Sequence, residues 1–174
     1  MLRLHTKPCH RYIYIRHVQT RKNVIEQAGD MTTTPLHVEL TDEGRYMASC
    51  IFNGIRSYLE RKGCDPAGAQ PRLASVDYDD DEACRLTHAC VAPLLQPDNP
   101  GGDVSVVVRF CTVPHIRQLL ASVGIPADCI GVPLGSATIV DKLYDGTFFV
   151  HAVGDLGIAP QYPVSKINYW NNAP

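Results

Sequence analysis

Seven cysteines (Cys9, Cys50, Cys64, Cys84, Cys90, Cys111 and Cys129) hold most of the chain's capacity for metal or redox chemistry. Their spacing argues against both uses. No two of them form the C-x-x-C pair that a zinc ribbon or a thioredoxin-type redox centre requires. Cys84 and His88 fall one helical turn apart and could share a helix face. Two ligands do not make a metal site, so no metal and no cofactor is expected. An odd number of scattered cysteines predicts free, buried thiols in a reducing compartment.

Charge is the second source of chemistry, and its distribution says more than its sum. With 16 Lys+Arg against 18 Asp+Glu the formal net charge is −2. That balance removes the bulk attraction behind non-specific nucleic-acid binding. Residues 1–25 nevertheless carry Arg3, Lys7, Arg11, Arg16, Arg21 and Lys22, and the first acid is Glu26. Such a segment fits a mitochondrial targeting sequence, and equally a basic arm that docks on an acidic partner. The stretch Asp77-Tyr78-Asp79-Asp80-Asp81-Glu82 is either a solvated face at a helix N-terminus or a dock for a basic partner.

The elements that would position these groups follow from periodicity. At 174 residues, 45% hydrophobic and 20% charged, the chain suits one globular domain. No apolar run reaches the roughly 18–20 residues of a membrane span. Tyr12 to Ile15 reads as a short first strand ending at Arg16-His17. A helix is predicted over 42–62, with Thr41 as N-cap, Asp42 and Glu43 in its first turn, and Met47, Ile51, Ile55, Tyr58 and Leu59 as its apolar stripe. A loop covers 64–71, and the acidic stretch leads into a helix with Leu86, Cys90, Val91 and Leu94 on one side. Gln96 to Gly102 is a turn-rich connector. Val104 to Phe110 is predicted as a central strand covered on both faces. A helix opened by Pro114 buries Ile116, Leu119, Leu120 and Val123 and stops at Gly124. Ala137–Lys142 and Thr147–Val153 read as a hairpin around Tyr144-Asp145-Gly146. Alternating strands and helices predict an α/β three-layer sandwich with a mostly parallel central sheet. The organisation expected is a basic arm over 1–11, a domain over 12–157 and an extended tail over 158–174.

Several motifs carry a family resemblance. Ile13-Tyr14-Ile15-Arg16-His17-Val18-Gln19-Thr20 resembles the opening of the histidine phosphatase (phosphoglycerate mutase-like) superfamily, where a strand runs into Arg-His-Gly-Glu/Gln-Thr/Ser. Asn23 falls where that family often has Asn. Leu40-Thr41-Asp42-Glu43-Gly44-Arg45, with Ala48, is similar to its L-T-x-x-G-x-x-Q-A helix entry. Val106 to Leu120 resembles the later strand, turn and helix, and Ile116-Arg117 matches its ending. Gly135-Ser136-Ala137-Thr138, Asp145-Gly146 and Gly154-Asp155-Leu156-Gly157 look most like the mitochondrial phosphoglycerate mutase-like protein phosphatases. The resemblance runs in order over about residues 12–160, and against it the chain looks trimmed.

The resemblance implies a mechanism and also its failure. In such phosphatases one His is the nucleophile and forms a phosphohistidine. Two Arg and a second His hold the phosphate dianion, and a carboxylic acid protonates the leaving oxygen. His17 takes the nucleophile's place and Arg16 the first clamp, with Asn23 completing a phosphate-binding remnant. Val18 replaces the Gly after the His and adds bulk there. In Asp79-Asp80-Asp81-Glu82-Ala83, the counterpart of S-S-x-x-R-A, Glu82 falls at the second Arg. At about 4 Å that reversal turns several kcal/mol of attraction into repulsion for an effective dielectric near 20. Thr112 stands at the second His. His115 lies a turn further on and could swing back, and the neighbouring Cys111 could offer a thiol but has no placed base. The insertion that normally supplies the acid has shrunk to Gln96–Gly102, whose only acid is Asp98.

Three functions follow as expectations. The first is an inactive histidine-phosphatase fold serving as a structural subunit of a larger assembly, such as a mitochondrial ribosome or a respiratory complex. Its protein partners would be held through the basic arm and the C-terminal tail, with RNA contact less favoured. The second is an active phosphatase on phosphoprotein or a small phosphate ester, using His17. The third is an anion-sensing module built on Arg16 and His17. The expected localisation is mitochondrial, or otherwise cytoplasmic.

Overall fold

A computed structural model describes residues 8–29, 38–60, 71–95, 104–128 and 130–155. Its elements in chain order are β1 (Pro8–Arg16), α1 (Arg21–Gln27), α2 (Asp42–Glu60), β2 (Pro71–Tyr78), α3 (Glu82–Val91), β3 (Val104–Cys111), α4 (Val113–Ser122), β4 (Ala137–Leu143) and β5 (Phe148–Asp155). The strands form one five-stranded sheet in the order β2-β3-β1-β4-β5. β3 is parallel to both β1 and β2, whereas β4 is antiparallel to β1 and to β5. The sheet is therefore mixed, with β4 alone running against the others.

Alternation along the strands sends side chains to two cores. Ile13 and Ile15 of β1 join Val106, Val108 and Phe110 of β3, and this face is covered by Met47, Ile51 and Ile55 of α2 and by Cys84 and Val91 of α3. On the other face Cys111, Ile116 and Leu120 pack with Ala127 and Val132, and Tyr14 lies against them. Helices thus cover both faces of an α/β sandwich, as the alternating pattern predicts. α2 begins where Thr41 Oγ1 accepts the Gly44 N–H at 3.0 Å, an N-cap bond. The predicted hairpin is present, turning through Gly146 at φ 86°.

Four details differ from the sequence reading, each for a reason that periodicity does not carry. β1 begins at Pro8, before the apolar run, because its polar residues find partners across the sheet: Arg11 pairs with Asp141 of β4. Arg11 is accordingly a sheet residue and not part of an arm. β2 is an additional strand at the sheet edge. Its register shifts between Leu73 and Ser75, so apolar alternation is broken and Leu73 is its only fully buried residue. β3 is interior, but the middle of the sheet belongs to β1. On α3 the buried face is Ala83, Cys84, Thr87 and Val91, while Cys90 and Leu94 are exposed. A hydrogen-bonded threonine occupies the core position that an apolar count assigns elsewhere.

Among the described residues no helix is long and apolar enough to cross a membrane. Cys9, Cys50, Cys84, Cys90 and Cys111 are free thiols, of which Cys84 and Cys111 are buried and Cys90 is exposed. Cys64, Cys129, the connector 96–102 with Asp98, and the tail from 158 onward lie outside the described residues.

Candidate functional site

β1 delivers Arg16 and His17 to the carboxyl end of the parallel strands, the usual place for a ligand in an open α/β sheet. Their backbone is gripped from both sides. His17 N–H donates to Cys111 O at 3.2 Å and Arg16 N–H to Ser136 O at 3.0 Å, while Gly135 N–H returns a bond to Arg16 O at 3.1 Å. The Gly135-Ser136 motif therefore acts as a clasp on the Arg-His turn.

The two side chains diverge in their surroundings. Arg16 Nη1 donates to Val132 O at 2.6 Å. Its Nε is buried without a hydrogen-bond partner among the described residues. Burial, followed by the charge of Arg117, lowers the Arg16 pKa. His17 Nδ1 lies 3.0 Å from Val18 O, and because a carbonyl only accepts, Nδ1 carries the proton and Nε2 the lone pair. Burial pushes the His17 pKa down. The charge of Arg16 adds to that, while the bond to Val18 O and the charges of Asp81 and Glu26 oppose it. His17 is thus neutral at pH 7.

This shift has a measurable consequence for stability. Above the ordinary histidine value of about 6.5 both folded and unfolded chains hold His17 neutral. As the pH falls through that value the unfolded chain takes up the proton first, so stability drops between about pH 6.5 and the lower folded value. Urea unfolding at pH 7.5 and pH 5.5 should show a smaller acid loss in His17→Asn than in the wild type. An equal loss in both would refute it.

The positions at which the sequence departs from the histidine-phosphatase pattern are not arranged as their residue types suggest. Val18 is fully buried in the core covered by α2 and α3, so its bulk goes into packing. Its N–H donates to Thr87 Oγ1 at 3.1 Å, and Thr87 in turn donates to Ala83 O at 2.8 Å. Thr87→Val should leave the Val18 N–H unsatisfied in a dry core and cost about 1–3 kcal/mol by chemical denaturation. Thr87→Ser, which keeps the hydroxyl, should cost less.

Glu82 does not reverse the charge of the site. Its carboxylate faces solvent, gripped by Arg85 at 2.6 and 2.8 Å, and that bond lowers its pKa. The reason is helix rotation: Ala83, not Glu82, lies on the buried face of the first turn. The acid whose charge reaches His17 from this turn is Asp81, which caps α3 by accepting the Cys84 N–H at 3.1 Å. Asn23 closes a capping box on α1, its Oδ1 accepting the Thr20 N–H at 3.0 Å.

Thr112 offers its backbone and not a base. Its N–H donates to Asp79 Oδ2 at 3.1 Å. His115 is held beside Thr112 at the end of β3, but its Nδ1 is taken up by Asp79, 2.7 and 2.8 Å from the two carboxylate oxygens. Arg109 Nε completes the set at 2.9 Å from Asp79 Oδ1. Burial works against the Asp79 carboxylate, and the bonds from Arg109, Thr112 and His115 outweigh it, so its pKa falls below the usual range. Sequence reasoning missed this hub because Asp79 sits in an acidic run that reads as solvated. Burial drives the Cys111 thiol up to about 12, which excludes it as a thiolate nucleophile at neutral pH.

No family model matches the chain, and no curated protein matches it in sequence. Solved structures do match. A variant of phosphoserine phosphatase from Entamoeba histolytica in complex with phosphoserine is 9% identical with a TM-score of 0.56, covering 83% of this chain and 96% of that one. A putative α-ribazole-5′-P phosphatase from Escherichia coli is 12% identical with a TM-score of 0.54 over 83% and 96% of the two chains. A phosphoglycerate mutase from Plasmodium falciparum is 12% identical with a TM-score of 0.51 over 91% and 96%. The chain has the phosphoglycerate mutase-like, histidine-phosphatase fold. Within this fold Arg16 and His17 occupy the end of the middle strand, held by β3 on one side and by the turn before β4 on the other. The phosphoglycerate mutase-like framework here covers nearly the whole length of those neighbours, at identities that speak to fold alone.

Proposed function

We propose that this chain is a catalytically inactive form of the histidine-phosphatase fold that serves as a structural subunit of a larger protein assembly. The observation that carries the reading is the Asp79 hub. At the end of β3, where such an enzyme has its second His, Asp79 takes the Thr112 N–H and holds His115 and Arg109. The Asp79 carboxylate already engages the Arg109 guanidinium and the His115 ring, the groups that a phosphate dianion would otherwise draw on there. The arginine of the first turn of α3, Arg85, is exposed and paired with Glu82, while Ala83 and Cys84 take the buried positions. Arg3 and Lys7, the basic residues ahead of β1, favour a mitochondrial home, in a mitochondrial ribosome or a respiratory complex. Its contacts would be to protein, through residues 1–7 and the tail 158–174, because a net charge of −2 does not favour RNA.

The test has two arms. Purified protein should turn over neither p-nitrophenyl phosphate nor phosphoserine above a heat-denatured control between pH 5 and 8. Turnover that disappears in His17→Ala, with phosphohistidine trapped on the wild type, would establish the active phosphatase instead. Native fractionation of mitochondria should recover the chain in a large complex, and recovery only as a free monomer would sink the assembly role. A second reading, an anion-sensing module, draws on the unpartnered Arg16 Nε. Calorimetric titration with phosphate and sugar phosphates distinguishes it, and flat traces count against it.

A further inference from the structure

Three side chains converge at the carboxyl ends of β2 and β3, and Cys111 beside the Asp79–His115 pair gives the group a chemistry that reading does not use. A carboxylate oxygen of Asp79, Cys111 Sγ and a ring nitrogen of His115 all lie within 4.8 Å of one another. Asp79 follows β2 directly, and its N–H bonds to Phe110 O at 2.9 Å, which prolongs the β2–β3 pairing. Cys111 is the last residue of β3, and His115 lies in the first turn of α4. Asp79 and Cys111 are buried at 9% and 0% exposure, while the His115 side chain is 36% exposed and gives the cluster an opening.

We propose that Asp79, Cys111 and His115 form a binding site for a divalent transition-metal ion of the zinc class. One carboxylate oxygen, one thiolate sulfur and one imidazole nitrogen make the mixed donor set that a borderline-soft ion accepts in tetrahedral geometry, with a fourth position open to water. Magnesium and calcium call for oxygen donors throughout and do not fit a site with sulfur and nitrogen. Bonds of about 2.0–2.3 Å at tetrahedral angles put ligand atoms roughly 3.3–3.8 Å apart. The three ligand atoms, all within 4.8 Å of one another, come within about 1 Å of that spread. The cluster is held by two hydrogen-bonded strands and the start of a helix, so its convergence belongs to the framework and not to a loop.

The surroundings suit the ion as well. Arg109 Nε and the Thr112 N–H both grip the Asp79 carboxylate, at 2.9 and 3.1 Å, and these bonds orient the ligand from behind. Two anionic ligands neutralise the charge of the ion itself, which limits the cost of holding it in a half-buried site. On loading, the Cys111 thiol proton goes to solvent and a metal–sulfur bond forms. The Nδ1 proton that now faces Asp79 is replaced by the ion, and the ring carries its proton on Nε2. No electrons change hands.

Cobalt tests this directly, because its tetrahedral thiolate complexes absorb in the visible and give a charge-transfer band in the near ultraviolet. Chelator-treated full-length protein titrated with Co²⁺ should develop both bands at one equivalent, and Zn²⁺ should bleach them. Cys111→Ser should remove the charge-transfer band. His115→Ala, at a position open enough to leave the fold intact, should weaken Co²⁺ binding at least tenfold, while Cys84→Ser should leave the spectrum unchanged. Absence of a band at one equivalent, or a charge-transfer band that survives in Cys111→Ser, would overturn the proposal. If Cys111→Ser does not fold, unweakened Co²⁺ binding by His115→Ala would overturn it equally.

Discussion

Gly44→Ala is expected to lower stability by about 2–4 kcal/mol, although it replaces a glycine in the first turn of α2 with the best helix former. A Cβ at Gly44 would stand 2.1 Å from Gln19 O and 3.1 Å from Gln19 C, both backbone atoms that cannot rotate aside. Intrinsic helix propensity favours alanine here by about 1 kcal/mol. Overpacking against a fixed backbone costs about 1–3 kcal/mol. Relief requires α2 to part from the Gln19–Thr20 segment, which breaks the bonds that join them. Thr41 N–H donates to Gln19 O at 3.3 Å, Thr41 Oγ1 donates to Gln19 Oε1 at 2.6 Å, and Thr20 bridges Leu40. Each such loss adds about 1 kcal/mol. Urea unfolding at an unchanged m-value reads the difference as a lower midpoint. A midpoint equal to the wild type would show that the close approach is not there. The glycine of the helix-entry motif is thus explained by distance: it lets α2 begin directly against the segment that follows Arg16 and His17.

Arg11→Met should cost more, about 3–5 kcal/mol, because it strands a buried carboxylate. The Arg11 and Asp141 side chains are 12% and 3% exposed, and the guanidinium meets the carboxylate in a fork at 2.6 and 2.7 Å. Arg11 also bonds the Tyr58 hydroxyl from α2, and His151 Nε2 reaches Asp141 Oδ2 at 2.6 Å. The network ties β1, β4, β5 and α2 together. Burial alone would lower the Arg11 pKa, and the bonds to Asp141 and Tyr58 outweigh it and raise the value. The pair is demanding to form yet severe to break. The double variant Arg11→Met with Asp141→Leu, which removes both charges, should therefore be more stable than Arg11→Met alone. A double-mutant cycle by chemical denaturation should give a coupling well above the scatter of additive sites, about 0.5 kcal/mol. Additive effects would refute it.

What the sequence made legible is what neighbours in the chain decide. Arg16 and His17 are covalently joined to an apolar run, so their arrival at a strand end could be read directly. α2 announced itself through Thr41, Asp42, Glu43 and a stripe at helical spacing, and the last hairpin through Asp145-Gly146. The unread parts depend on residues far away. Asp79 is buried because Arg109, Thr112 and His115 surround it, and nothing near Asp79 in the chain reports them. Glu82 was placed at a clamping position by motif count, while the actual rotation of α3 follows from Thr87 meeting Val18 across the core. β2 is polar at the sheet edge, where solvent and not a core sets the pattern. Sequence periodicity reads one face at a time, and a site assembled from strand ends has no period.

The position of β1 bears on how the protein comes to be made. Tyr14 pairs with Arg109 on one side and with Thr138 on the other, so this strand has no sheet partner until the far half of the chain exists. At about 5–20 residues per second of synthesis, the wait from β1 to β3 alone lasts on the order of 5–20 seconds. During that time Tyr12-Ile13-Tyr14-Ile15, an apolar stretch of high β propensity, has neither edge covered. Long-range pairing of this kind also slows folding once synthesis ends. Holding factors that bind short extended apolar segments should therefore engage this chain early. Of the five strands described, the one that ends just before His17 is made first and is among the last to be enclosed.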